Sequence, residues 1–225
     1  MATSTVEDYI KQVFLLQQEY PDQMVPMGRL SVAVGITPGT ATTMVKGFAA
    51  DGLVQYEPRV GVRLTARGLK LAANVLRRHR IAECFLVEVL GMDWSEVHED
   101  AERLEHAISD RVLDRMDALL NRPTRDPHGD PIPAQDGKLR VAALGSLATI
   151  EAGASVRVER VLDQTPAFLS TVRTLGLMPG TEAVVVERHA AAGTVTLRLG
   201  KGRNLAIALD VAAKLHVAPL TKPIV

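Results

Sequence analysis

His98, Glu102, Glu105 and His106 lie in one short run, VHEDAERLEHAISD (Val97–Asp110). On a helix of about 3.6 residues per turn they share an arc of about 100°, in the order Glu105, His98, Glu102, His106. Carboxylates three and four residues apart repel each other unless positive charge lies between them. A divalent metal ion would supply that charge, because carboxylate with neutral imidazole suits Mn, Fe, Zn or Co. A solvated acidic helix face is the plainer reading of the same pattern. Beside the arc, Val97, Ala101, Leu104, Ile108 and Val112 form an apolar stripe expected to face a core. Upstream, His79 and Glu83 are four residues apart, so one helix can aim both at one ion, and His98 can complete that set. Glu102, Glu105 and His106 can form another set further along the same face.

Two metals bridged by carboxylates can also hydrolyse phosphates or peptides. However, no HExxH pair, nucleophile or phosphate-binding glycine loop stands beside the cluster. A dinuclear metallohydrolase is therefore the remote alternative, and neither a catalytic residue nor a small-molecule substrate is expected. Over 225 residues the formal net charge is zero, so any DNA binding must come from a local basic surface. A basic stretch ending in Arg77, Arg78, His79 and Arg80 meets a segment, Ala82 to Leu120, with eleven acidic side chains against three arginines. Cys84 is the single cysteine, which excludes an internal disulfide and fits a reducing compartment. Beside Glu83 it is expected to be core rather than ligand. The N-terminus lacks a signal peptide's pattern, and no apolar run approaches the roughly 18 residues of a membrane span. A soluble, cytoplasmic protein is expected.

Ser4-Thr5-Val6-Glu7 reads as a capping box opening a helix through Tyr9, Ile10, Val13, Phe14 and Leu16 that stops near Tyr20-Pro21. Asp8 sits in its first turn, which the helix dipole alone would explain. A short helix over Pro26–Val34, the turn Gly35–Thr37 and a helix from Pro38 to about Asp51 form a helix-turn-helix, with Thr37 as N-cap and Pro38 at N1. DGLVQYEPRVGVRLT (Asp51–Thr65) then gives two strands around a turn at Pro58–Gly61, the wing of a winged helix. Long helices over Ala66–Leu90 and about Ser95–Leu120 follow, divided at Gly91. Asn121–Lys138 holds Pro123, Pro127, Pro131 and Pro133 and reads as linker. From about Leu144, ASVRVERVL, EAVVVERH, GTVTLRLG and NLAIAL are short strands, interrupted by a helical turn ending at Gly176. The fold class is mainly α with β: a winged helix-turn-helix (1–65), a helical dimerisation and metal-binding domain (66–122), a Pro-rich linker (123–143) and a small SH3-like β-barrel (144–225).

The winged helix, Arg77–Asp110 and DPHGDPIP (Asp126–Pro133) together resemble the diphtheria toxin repressor family of metal-dependent transcriptional regulators, over nearly the whole chain. The last part, with LGLMPG (Leu175–Gly180), resembles the SH3-like domain of small ferrous-iron transport proteins. The resemblance implies a homodimer that binds palindromic operator DNA when loaded with metal, usually as a repressor, here of metal-uptake genes. It places a primary metal site at Asp8, Glu102, Glu105 and His106. An ancillary site falls at His79, Glu83 and His98, with Asp163 or Gln164 offered by the SH3-like part. The iron branch carries Met and Cys where this chain has Asp8 and Glu102, and an all-oxygen set with one imidazole favours a harder ion such as Mn²⁺. Fe²⁺ is the alternative, and Co²⁺, Zn²⁺ or Cd²⁺ can substitute in vitro. Lys11 departs from the short manganese regulators, which carry Glu there, and points to separated rather than paired ions. Thr37, Gly39, Thr40, Thr42, Thr43 and Lys46 are the expected recognition residues. None is an Arg, Asn or Gln base reader, so shape readout is expected. Arg29, Lys46, Arg59, Arg63 and Arg67 are the candidate phosphate contacts.

Overall fold

The computed structural model describes residues 3–140, 142–200 and 202–220. They form two compact units, one built from Met1–His79, Glu102–Leu113 and Ile132–Leu139, the other from Arg80–Ala101, Asp114–Pro131 and Arg140–Val225.

The first unit opens with α1 (Ser4–Gln17), whose buried Tyr9, Ile10, Val13, Phe14 and Leu16 recur at helical spacing. The expected capping box does not form. Thr3 is the N-cap without a side-chain cap bond, and the Glu7 carboxylate instead meets a histidine described below. Next come α2 (Met27–Ala33), a turn with Gly35 at φ 68°, and α3 (Pro38–Ala50). Thr37 caps α3 by accepting from the Thr40 amide at 3.3 Å, and Pro38 stands at its start, as expected. The wing is β1 (Val54–Glu57) paired antiparallel with β2 (Gly61–Leu64). Gln17 pins α1 to it, its side-chain oxygen accepting from the Leu64 amide at 2.8 Å. Tyr9 meets Phe48 edge to face at 5.3 Å between ring centroids, joining α1 to α3.

Three further helices follow: α4 (Ala66–Glu88), α5 (His98–Ala107) and α6 (Asp110–Leu119). The single helix expected over Ser95–Leu120 is therefore two. Ser109 starts α6, its carbonyl accepting from Leu113 and its hydroxyl lying 3.4 Å from the Val112 amide. The break also splits the apolar stripe: Val97, Ala101 and Ile108 are buried, Leu104 is half-buried and Val112 is exposed.

The second unit holds an antiparallel sheet in the order β3 (Gly145–Ser146), β8 (Leu215–Pro219), β4 (Ser155–Val161), β5 (Glu182–His189), β6 (Thr194–Leu199), β7 (Arg203–Ala208). Helices α7 (Pro166–Leu175) and α8 (Leu209–Ala213) complete it, and Gly176 ends α7 at φ 75°. The expected helical turn is thus a ten-residue helix, and β8, with Leu215 and Val217 inward, is an unanticipated central strand. Trp94 joins this core with Leu147, Val156, Val158, Leu169 and Leu197. The expected linker is a packed segment over DPHGDPI: Asp126, His128, Asp130 and Ile132 are all buried. Asp126 replaces the missing secondary structure by accepting from the His128 and Asp130 amides, each at 2.9 Å. Cys84 is buried as expected, its thiol 3.6 Å from the Arg125 carbonyl.

Gly68 near the start of α4 lies against the wing so closely that an added Cβ would collide with the Leu53 carbonyl. Gly68→Ala should therefore destabilise the winged helix by about 1–3 kcal/mol, the usual cost of overpacking, and an unchanged urea midpoint would contradict that packing.

Candidate metal centre

In the first unit α1 and α5 bring acids and imidazole together. His106 places Nε2 at 2.9 Å from Asp8 Oδ1 and Nδ1 at 2.7 Å from Glu7 Oε2. Its Nε2 also lies 3.4 Å from Glu105 Oε1. Glu105 is wholly buried, and a buried carboxylate is costly unless ion-paired and hydrogen-bonded. Its Oε1 accepts from Lys11 Nζ at 2.6 Å, and its Oε2 lies 2.7 Å from His79 Nδ1. The Lys11 ammonium, also buried, donates to Glu102 Oε1 at 2.8 Å.

These contacts shift the titrations. Burial works against the Lys11 ammonium, but the charges of Glu105 and Glu102 hold it above its ordinary value. Burial likewise opposes the His106 imidazolium, but Glu7, Glu105 and Asp8 together outweigh it and raise its pKa above 6.5. Burial raises the Asp8 carboxyl, with His106 and Lys11 acting in the other direction.

Two overlapping groups of donors result. Asp8, Glu105 and His106 offer ligand atoms within 4.8 Å of one another, and so do His79, Glu102 and Glu105. Of the four residues that the resemblance implied, Asp8, Glu105 and His106 thus come together in one group, and Glu102 joins Glu105 in the other. His79 keeps its one-turn spacing from Glu83 along α4, and its Nδ1 also meets Glu105. Glu7 is the residue that sequence reasoning did not place here, because it was read as a helix cap; Lys11, which the resemblance raised only as an argument against paired ions, bridges Glu102 and Glu105.

The second unit holds another group. Glu83, Asp126 and His128, all buried, also offer donors within 4.8 Å of one another. His128 stacks on Trp94 with ring centroids 5.4 Å apart, and its Nε2 lies 2.8 Å from the Trp94 carbonyl. That contact makes Nε2 the protonated, donating nitrogen and leaves Nδ1 facing Glu83 Oε2 at 3.8 Å. Nδ1 is buried without a hydrogen-bond partner among the described residues. Glu83 Oε1 lies 3.4 Å from His98 Nδ1. Burial, with the charges of Asp130 and Glu83, pushes the Asp126 carboxyl well above the usual range, against Arg80 with its Nε at 3.3 Å. Asp163 and Gln164, expected as ancillary donors, are engaged elsewhere. Asp163 accepts from Lys214 at 2.8 Å, which holds its carboxyl below the ordinary value, and Gln164 donates to Asp130 at 2.6 Å. Asp126 and His128 are the residues that stand beside Glu83 here. Prolines and turn residues concealed this pair in the sequence.

On the winged helix, Thr37, Gly39, Thr40, Thr43 and Lys46 are exposed and Thr42 is half-buried. Thr42 and Thr43 donate back to the Pro38 and Gly39 carbonyls at 2.8 and 3.1 Å, which leaves less hydroxyl for base recognition. Arg29 pairs with Glu19 at 3.1 Å, and Arg67 donates to the Asp51 carbonyl at 2.8 Å. Arg59 is exposed at the wing's turn at φ 67°, and Arg63 lies half-buried on β2.

Residues 1–62 match the family model described as iron dependent repressor, N-terminal DNA binding domain. Residues 65–134 match the metal binding and dimerisation domain of the same repressors, and residues 145–219 match the FeoA domain. A solved structure titled as a manganese-dependent transcriptional repressor in complex with manganese is 34% identical, with a TM-score of 0.86 over 96% of this chain and 100% of that one. The chain belongs to the iron-dependent repressor family. Other relatives are the iron-dependent repressor IdeR of Mycobacterium leprae and the diphtheria toxin repressor of Corynebacterium diphtheriae. The first is 29% identical over 95% of this chain and 96% of the relative, the second 28% over 96% and 97%. The family is one of metal-dependent, DNA-binding transcriptional repressors, and its relatives are named as repressors rather than enzymes. No helix among the described residues is long and apolar enough to cross a membrane.

His106 gives this donor group a pH signature with two opposite limbs. Its folded pKa is raised, so without metal it contributes stability that is full below the ordinary imidazole value and is lost as pH rises through the raised one. A divalent metal ion would need the neutral ring, so affinity for such an ion at this group should rise as pH rises through the raised pKa of His106. Mn²⁺ titrations over about pH 5–8 would show this, and a flat profile would exclude His106 as a ligand.

Proposed function

We propose that the protein is a manganese-responsive repressor that binds palindromic operator DNA as a homodimer and controls metal uptake. The supporting observation is that Asp8 of α1 meets Glu105 and His106 of α5 at one point in the first unit. The donor set is oxygen and imidazole with no sulfur, the chemistry of a hard divalent ion. A bound ion supplies positive charge shared by Asp8, Glu105 and neutral His106, and with it a crosslink between α1 and α5. Glu7 has an orienting role: accepting the Nδ1 proton of His106 leaves Nε2 with its lone pair toward Asp8. Fixing α1 fixes the recognition helix, because α1 packs on α3 through Tyr9 and Phe48. In a dimer, half-sites about one helical turn apart demand such a fixed arrangement. Operator DNA must then tighten metal binding by the same factor as metal tightens DNA binding.

A second site is supported by Glu83, Asp126 and His128, with His98 within reach of Glu83. The buried Nδ1 of His128, without a hydrogen-bond partner among the described residues and 3.8 Å from the Glu83 carboxylate, is an arrangement a cation would resolve. On α3, an added Cβ at Gly47 would meet nothing within 4 Å, so no internal contact requires the glycine, although glycine within a helix costs about 1 kcal/mol relative to Ala. Together with Gly39 and the threonines it lets backbone approach DNA closely, which suits shape readout more than base readout. Fe²⁺ is the second reading of the ion, favoured by relatives named as iron-dependent repressors.

Fluorescence anisotropy on palindromic duplexes selected from a random pool tests the reading. Mn²⁺ should promote binding more than Fe²⁺ does under anaerobic conditions. Asp8→Ala and His106→Ala should each lower Mn²⁺ affinity by more than about 100-fold, since even outer partners of metal ligands are worth roughly 10–100-fold. Equal binding of every duplex with and without metal would refute it.

A further inference from the structure

Thr43 stands at the centre of the exposed face of α3, with Gly39 and Gly47 one turn to either side, while Ala41, Val45 and Phe48 hold the other face in the core. An added Cβ at either glycine would meet nothing closer than 4.0 Å, and neither has a positive φ, so the protein's own packing does not ask for glycine there. One short side chain thus stands between two bare lengths of backbone. Its hydroxyl has a single proton, which goes to the Gly39 carbonyl at 3.1 Å. Thr42 donates in the same way to the Pro38 carbonyl at 2.8 Å, and the Thr37 and Thr40 hydroxyls bond each other at 2.9 Å. Thr43 therefore has no proton left for the acceptors that G, A and T present in the major groove. The same back-bond fixes χ1 and turns the Cγ2 methyl away from that carbonyl.

We propose that Thr43 reads thymine through its methyl group: Cγ2 packs against the C5-methyl of one thymine in each half-site, and the two glycines let the helix sink far enough for the contact. The proposal rests on the DNA-binding reading above and adds one direct base contact to shape readout. In the major groove cytosine and adenine offer an amino donor, and thymine alone offers a methyl. An amino group would have to reach an oxygen already turned back along the helix to Gly39, whereas the methyl lies open. A longer side chain at this position would hold the bare backbone of Gly39 and Gly47 away from the groove floor. Lys46, exposed on the same face, can attract phosphate but carries no sequence information in doing so.

The quantity to measure is the ratio of affinities for a duplex and for the same duplex with one thymine per half-site replaced by deoxyuridine, which removes only the C5-methyl. Anisotropy on the full chain with Mn²⁺ and the selected palindromic duplex gives this ratio at each thymine in turn. At one position the wild type should favour thymine about fourfold per half-site, and about 15-fold over the palindrome, the worth of one buried methyl group at each. Thr43→Ser keeps the hydroxyl and loses the methyl, so the ratio at that position should fall to about one. Thr43→Val keeps a methyl and loses the hydroxyl, so it should keep the ratio, whatever its absolute affinity. A wild type that binds DNA in response to metal yet prefers thymine at no position overturns the proposal. So does a preference that survives in Thr43→Ser, and so does one lost in Thr43→Val, which would make the hydroxyl the reader. A wild type without metal-dependent DNA binding sinks the repressor reading itself, a result separable from metal-dependent binding that ignores the methyl.

Discussion

The carboxylate of Glu105 is shut off from water, and its charge has to be met by the protein itself. Lys11 from α1, His79 from α4 and His106 from α5 converge on its two oxygens at 2.6, 2.7 and 3.4 Å. Because these partners come from three helices, one buried anion sets how the helices of the first unit meet. Moving any of them strands an uncompensated charge, a more severe penalty than loss of an apolar contact. The apolar core of α1, α3 and the wing supplies most of the burial, but it is nondirectional. The ionic cluster selects one arrangement and places Asp8 where it can respond to a cation.

The legible parts of the sequence were those whose evidence is local. Thr37-Pro38 at the head of a helix and the hairpin about Pro58–Gly61 specify the winged helix through backbone chemistry confined to a few residues. Glu102, Glu105 and His106 were legible because helical periodicity places them on one arc. Periodicity cannot say which other element faces that arc, which is why Glu7 was not placed and why the contacts of Lys11 and His79 with Glu105 were not foreseen. The capping pattern at Ser4–Glu7 failed for a related reason. A glutamate that could have closed the helix start has a nearer partner in His106, and a long-range ion pair outweighs a local cap.

Segment 126–133 shows the opposite failure. Four prolines and several turn formers between Asn121 and Lys138 read as solvent-exposed chain, yet Asp126, His128 and Asp130 are buried. An irregular segment can be buried if its amides find other acceptors, and Asp126 supplies them. Gly129 adds a backbone approach to the Glu159 carbonyl that no side chain would permit. Composition records how polar a stretch is; whether its polarity is turned inward to satisfy itself is a tertiary matter.

The burial of Cys84 has a consequence for the chemistry of sensing. Its thiol is pushed far above the ordinary cysteine range by burial and by the neighbouring charges of Asp126, Glu88 and Glu83. A thiol held protonated is a poor nucleophile, so little thiolate forms to attack a peroxide or a disulfide. None of the three donor groups described contains sulfur, so thiol oxidation does not alter their ligand atoms. Cys84 is thereby left as a packing residue of the second unit rather than a redox-active one.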